Sequence, residues 1–262
     1  MEIAGFAAAI LIGLSLGLIG GGGSILTVPI LVYLFGIDPV VATTYSLFVV
    51  GITSSAGAAS HYQKNNVNLR VALIFGIPSL IAIFVMRRWV MPVVPAHLFN
   101  IGTFEVTKPV FLMLAFAGLM LAAAISMIRK KSKPLDSGFK LNYNKLILQS
   151  IIVGIITGFV GVGGGFLIIP SLVLFAGLPM KKAVGTSLMI MTISSLLGVL
   201  GDVSRHAAIN YTFLLGFSAF AVAGIIAGSF LIKYVDDARL KPAFGWFVLM
   251  MGLFVLISTL YK

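Results

Sequence analysis

The sequence has no cysteine and little charge. Without a thiol there is no disulfide, no thiolate metal site and no cysteine nucleophile. Charged residues are 10% of the chain, against about 25% in soluble domains. So few charges cannot cover a water-soluble fold, and with 60% hydrophobic residues the class is a polytopic membrane protein. No Asp, Glu, Lys or Arg falls near the middle of an apolar run, so the intramembrane carboxylate common in proton-driven carriers is missing. The three histidines, His61, His97 and His206, have no ligand spacing such as His-x-x-x-His. Neither a metal, a cofactor nor a catalytic residue is therefore expected. The N-terminus lacks a basic n-region and a small-residue cleavage pattern, so it reads as mature sequence rather than signal peptide.

Apolar runs and glycine are what the chain does have. The runs are Ile3–Phe35, Val40–Ala59, Leu69–Val90, Val110–Ile128, Leu146–Ala176, Ala183–Leu200, Tyr211–Tyr234 and Phe244–Tyr261. A membrane-spanning helix needs about 20 residues, so six of these are single spans. Ile3–Phe35 and Leu146–Ala176 are too long for one span and short for two. Each is interrupted by glycine: Gly20-Gly21-Gly22-Gly23-Ser24 in the first, Gly161-Val162-Gly163-Gly164-Gly165 in the second. Helix costs about 1 kcal/mol more per Gly than per Ala, so each run is expected to be two helical pieces hinged in the bilayer. Pro29 and Pro170 then fall early in the second piece, near where a helix best tolerates proline.

The two runs are copies. A constant shift of 141 maps Gly13–Leu47 onto the second run with 13 identities in 35 positions, including Gly20, Gly22, Gly23, Pro29, Gly36, Ser46 and Leu47. Weaker echoes continue: Asn66-Val67-Asn68 resembles Ala208-Ile209-Asn210, and Lys108-Pro109 resembles Lys241-Pro242. The repeats are placed at 1–131 and 145–262, with a polar linker at 132–144. Basic residues set the orientation. If each broken run counts as two crossings, 13 Lys and Arg share the side of the central basic loop and 5 lie opposite. Counting one crossing each gives 10 against 8, so the first arrangement is preferred. It puts the central loop in the cytoplasm. The expected fold is an all-α polytopic membrane protein of two inverted repeats, each a glycine-broken helical hairpin plus three transmembrane helices, a secondary-transporter pattern.

Helix broken at bilayer depth leaves backbone N–H and C=O groups that protein or a wet cavity must satisfy. The positive end of the helix beyond each break favours an anion. Gly22, Gly23 and Ser24 in one copy, and Gly163, Gly164 and Gly165 in the other, are the expected binding backbone. Hydroxyls on the next span, Thr44 and Ser46, Thr186 and Ser187, are expected to add neutral donors. Tyr45, His61, Arg205 and His206 are candidates for a gate or vestibule, and proton coupling would have to use His61, His206 or the substrate. By contrast Gly13-x-x-x-Gly17, Gly154-x-x-x-Gly158 and Gly224-x-x-x-Gly228 read as helix-packing patterns. A dinucleotide loop is excluded at the second cluster, because it requires a strand–turn–helix unit in a soluble sheet.

The glycine hinge, the proline after it, and an Ala-x-x-x-Ser-Leu element (Ala42–Leu47, Ala183–Leu188), all repeated once, resemble the TauE/SafE family of sulfite and organosulfonate exporters, also called the toluenesulfonate uptake permease family. The resemblance covers essentially the whole chain. It implies export of a small sulfur-containing oxyanion by alternating access in the plasma membrane. The partners expected are this anion and the lipid bilayer, with no nucleic acid. A passive anion channel and a non-transporting scaffold are the alternatives. The first copy departs from the family's commoner Thr-Ser pair by reading Thr44-Tyr45-Ser46, which places Tyr45 where it can reshape that half of the site.

Overall fold

The computed structural model describes residues 2–101, 104–129, 143–160, 165–203, 210–235 and 237–260. The chain is helical almost throughout. Helix α1 (Glu2–Ile19) is followed by α2 (Gly22–Pro29), α3 (Pro39–Gln63), α4 (Leu69–Val85) and the short α5 (Met91–Val93). A hairpin of β1 (His97–Ile101) and β2 (Phe104–Thr107) comes next, then α6 (Lys108–Arg129). The remainder is α7 (Tyr143–Val160), α8 (Gly165–Leu174), α9 (Met180–Val203), α10 (Tyr211–Leu231) and α11 (Asp237–Leu260). Among the described residues, six helices are long and apolar enough to cross a membrane: α3, α4 as continued to Val93, α6, α7, α9 and α10. The protein is an all-α polytopic membrane fold, and the two-stranded hairpin is its one addition to the expected elements.

Helix ends follow local chemistry. Asp38 caps α3 by accepting from Val40 N–H at 2.8 Å, with Pro39 at the first helical position, where its missing N–H costs nothing. Asn68 and Asn210 cap α4 and α10 in the same way, accepting from Val71 at 3.1 Å and Phe213 at 3.0 Å. The turns after the two hinged runs are equivalent. Ile37 N–H reaches Leu31 O at 3.0 Å and Leu178 N–H reaches Leu172 O at 3.1 Å, each around a left-handed glycine, Gly36 (φ +67) and Gly177 (φ +63).

The prolines depart from expectation. Pro29 closes α2 rather than opening it, and Pro170 lies in the interior of α8. Proline has no N–H and its ring crowds the carbonyl one turn back. After Pro29 the chain continues as a π-helical turn, Ile30–Leu34.

Helix boundaries repeat at the sequence offset. Both α1 and α7 have 18 residues and start 141 positions apart; α3 and α9 also start 141 apart. Packing follows the same exchange: α1 lies on α10 and α7 on α4, while α3 packs on α9 and α6 on α11. The small-residue patterns make the first two contacts. Gly17 meets the Ile225 carbonyl and the Ser229 nitrogen of α10, and Gly224 and Gly228 meet the Ile10 and Leu14 carbonyls of α1. Gly154 and Gly158 abut Ser79 and Ile83 of α4. Lipid tails are as apolar as Leu, so close backbone approach, not hydrophobic exclusion, holds such pairs together.

Candidate functional site

The first break is a sharp one. Gly20 N–H still bonds to Leu16 O at 2.7 Å, but Gly20 itself turns to φ +68, a left-handed conformation that favours glycine. Helix α2 restarts at Gly22. A methyl on Gly20 would stand 3.1 Å from Ser187 Oγ and 3.2 Å from Val184 Cα, so the break is pressed onto α9.

The start of α8 meets the first break. A methyl on Gly165, at the start of α8, would stand 2.5 Å from Gly21 Cα and would strike the Met191 sulfur. Met191 lies at the middle of α9, which places this backbone contact at mid-depth in the bundle. Gly163 and Gly164 lie outside the described residues, as do the gate candidates Arg205 and His206.

The other expected site residues are all buried. Ser24, Ser46, Thr186 and Ser187 have no exposure, and Thr44 has 2%. Their hydroxyls are used differently. Ser24 donates to Gly21 O at 2.7 Å and Ser187 to Val184 O at 2.8 Å, so each is tied to its own chain. Thr186 accepts the Asn68 N–H at 3.0 Å. Ser46 Oγ has no partner. Deeper along the same two helices, Thr192 Oγ1 lies 3.3 Å from Ser54 Oγ, a polar contact across the α3–α9 seam. Gly23 is also buried, and a side chain there would strike the Ile12 carbonyl and Leu16 of α1.

Tyr45 and His61 sit at the two ends of α3. The Tyr45 hydroxyl accepts the Asn210 N–H at 2.9 Å and its ring lies 6.4 Å from that of Phe213. His61 is fully buried in the last turn of the helix. A cavity of about 700 Å³ lies elsewhere, where α2 ends and α3 begins. It is lined by Tyr33, Asp38, Glu105 and Thr259 among others. Its two carboxyls make it an unfavourable place for an anion, so the glycine contact is the better candidate.

Arg87 was not among the expected residues. It is 2% exposed, in a π-helical turn that extends α4, and its Nη1 donates to Thr43 Oγ1 at 3.2 Å. In the sequence it reads as one of a pair with Arg88 at a span end. Its spacing from Ser79, Ala82 and Ile83, the buried stripe of α4, was the available signal.

With this geometry in place, comparison with known proteins decides the family. The model for the sulfite exporter TauE/SafE family matches residues 5–255. The chain belongs to the TauE/SafE family. Similar curated proteins include a probable membrane transporter protein of Xylella fastidiosa (strain Temecula1 / ATCC 700964), 28% identical over 94% of this chain and 91% of its own length. The probable membrane transporter protein YunE of Bacillus subtilis (strain 168) is 30% identical over 76% of each chain. One from Methanocaldococcus jannaschii is 27% identical over 95% of this chain and 94% of its own. No solved structure matches the chain significantly. As a TauE/SafE protein the chain is a multi-pass membrane transporter.

Proposed function

We propose that this transporter exports a small sulfur-containing oxyanion, sulfite or an organosulfonate such as sulfoacetate, across the plasma membrane by alternating access. The single observation that carries this reading is the contact of Gly21 with Gly165 beside Met191. The first break and the start of α8 bring bare backbone together at mid-depth. The first four N–H groups of a helix have no partner within it, so the starts of α2 and α8 offer backbone donors beside that contact. Donors of this kind, with the positive helix ends behind them, suit a compact anion. Stripping water from an anion costs several kcal/mol. Charge-assisted hydrogen bonds contribute about 1.5–3 kcal/mol each, so a few donors drawn from both breaks offset it without a salt bridge. The unpartnered Ser46 hydroxyl is a further donor. Thr44, Thr186, Ser187 and Ser24 complete the polar lining, with Gly22, Gly23, Gly163 and Gly164 allowing close approach.

In this reading the repeats 1–131 and 145–262 are inverted about the glycine contact, and the linker 132–144 is cytoplasmic. Two contacts of basic residues across the halves support it: Lys64 donates to Ser229 O at 2.8 Å, and Arg70 stacks 5.3 Å from the Tyr143 ring. The family match supports a sulfur oxyanion; the relatives' names go no further than a membrane transporter. The decisive experiment is counterflow of sulfite and of sulfoacetate into proteoliposomes. Trans-stimulated uptake is expected, and Gly165→Leu should abolish it in protein that still inserts. Flux without trans-stimulation would identify a channel, and no flux of either anion removes the proposal.

A further inference from the structure

Histidine 61 is the buried titratable group that the site described above does not use. It is fully buried in the last turn of α3. Neither ring nitrogen meets hydrogen-bonding geometry with a partner, and the Gly17 backbone of α1 lies beside the ring. Leaving an imidazole N–H or lone pair buried and unbonded costs on the order of 1–3 kcal/mol. A purely structural residue at this position would be better served by Leu or Met.

Its neighbours connect it to the breaks. Gly185 of α9 packs against His61, the position of its missing methyl lying 3.0 Å from His61 Cβ. Gly185 directly precedes Thr186 and Ser187. Gly17 is three residues before Gly20, about 4.5 Å along the axis of α1 at the usual helical rise. His61 therefore lies about one helical turn from the first break, at the end of α3 that also carries Lys64. No metal-holding cluster of His, Asp or Glu occurs among the described residues. Among the described residues, the other charged groups at this end are Lys64, held by Ser60 Oγ and Ser229 O and stacked on Phe230, Lys181 and Lys182 in the first turn of α9, Arg70 in the first turn of α4 and Lys145 in the first turn of α7.

We propose that His61 is the proton-coupling residue: binding of the anion at the glycine breaks draws one proton onto the His61 imidazole, so that anion and proton are handled together. The step is a proton transfer from hydronium: an N–H bond forms at the ring nitrogen to give an imidazolium, one O–H bond of hydronium breaks, and water leaves. A cation one turn away offsets the anion's charge in a region of low dielectric. The coupling is mutual: what the proton does for anion affinity, the anion does for proton affinity.

This rests on the proposed anion site, and the test separates the two. Sulfoacetate keeps a constant charge between pH 5 and 8, so any pH dependence belongs to the protein. Its affinity for the purified transporter should rise as pH falls, by up to tenfold per pH unit, the limit for one linked proton. His61→Gln should flatten that dependence, and proteoliposomes loaded with a pH dye should show proton movement with wild-type but not His61→Gln. If the variant does not insert, calorimetry of wild-type binding in buffers of different ionisation enthalpy gives the proton count directly. One proton per anion supports the role, and zero overturns it. Sulfoacetate binding and exchange with no pH dependence sinks only the role of His61; no binding or exchange at any pH sinks the anion site itself.

Discussion

The phenol oxygen of Tyr45 accepts the backbone N–H of Asn210 at 2.9 Å, and Thr186, at the equivalent position 141 residues on, accepts the backbone N–H of Asn68 at 3.0 Å. Asn68 and Asn210 are the caps of α4 and α10. Each bond thus ties the start of a helix in one half to the helix that carries the site hydroxyls in the other. If the repeats are inverted, the two ties close opposite mouths of the same site.

Tyr45→Phe and Thr186→Val each delete one acceptor and should lower unfolding free energy by about 0.5–1.5 kcal/mol. Their effect on access should be opposite. The chain has no cysteine, so a single thiol introduced by Ser46→Cys reports alone. Tyr45→Phe should speed its maleimide labelling from the side away from the central basic loop, and Thr186→Val from the loop side. Equal acceleration from both sides by either variant argues against separate closures.

Gly165→Ala should be damaging. Its methyl would meet Gly21 Cα at 2.5 Å, and although Met191 can swing aside, backbone cannot. Overpacking of this kind costs about 1–3 kcal/mol, read as a fall in Tm, together with loss of anion exchange. Gly118→Ala in α6 is the control. Nothing stands within 4 Å of that position, so it should be neutral or stabilise by up to about 1 kcal/mol through helix propensity.

Gly224→Ala tests the packing patterns apart from the site. The added methyl would strike the Ile10 carbonyl of α1. Helices α1 and α10 must then separate, at a cost of about 1–3 kcal/mol. Thermal unfolding in detergent checks it, and an unchanged Tm would show that this seam is slack.

Arg87→Lys keeps the charge and moves the donor. The guanidinium reaches Thr43 from a buried position, and the shorter-ranged, strongly hydrated ammonium cannot reproduce a planar fork. A loss of about 1–3 kcal/mol is expected, again measured as Tm. No change would mean that Arg87 contributes packing of its stem rather than directed bonds.

The span boundaries and the first hinge were legible because both rest on local chemistry: apolar length and glycine. The meeting of Gly21 with Gly165 was legible only as an expectation from symmetry, since nothing local says how two distant segments dock. Both prolines were misplaced within their helices: Pro29 closes α2 and Pro170 lies inside α8, where the α-helical rule disfavours proline. The β1–β2 hairpin was missed: His97–Thr107 has neither an Asn-Gly turn nor clean alternation. Hydroxyl roles were the least readable. Ser46 and Ser187 occupy equivalent positions, yet one bonds its own helix and the other bonds nothing.

Two α-carbons in contact have no side chain that can rotate away. Where Gly21 meets Gly165 the halves of the chain cannot part by rotamer changes, as they can at Met191. In the proposed alternating access they would roll as rigid segments about that point, like two levers on one pivot. A tilt that widens one face of the bundle would then narrow the other, and a leak through both at once would require the pivot itself to come apart.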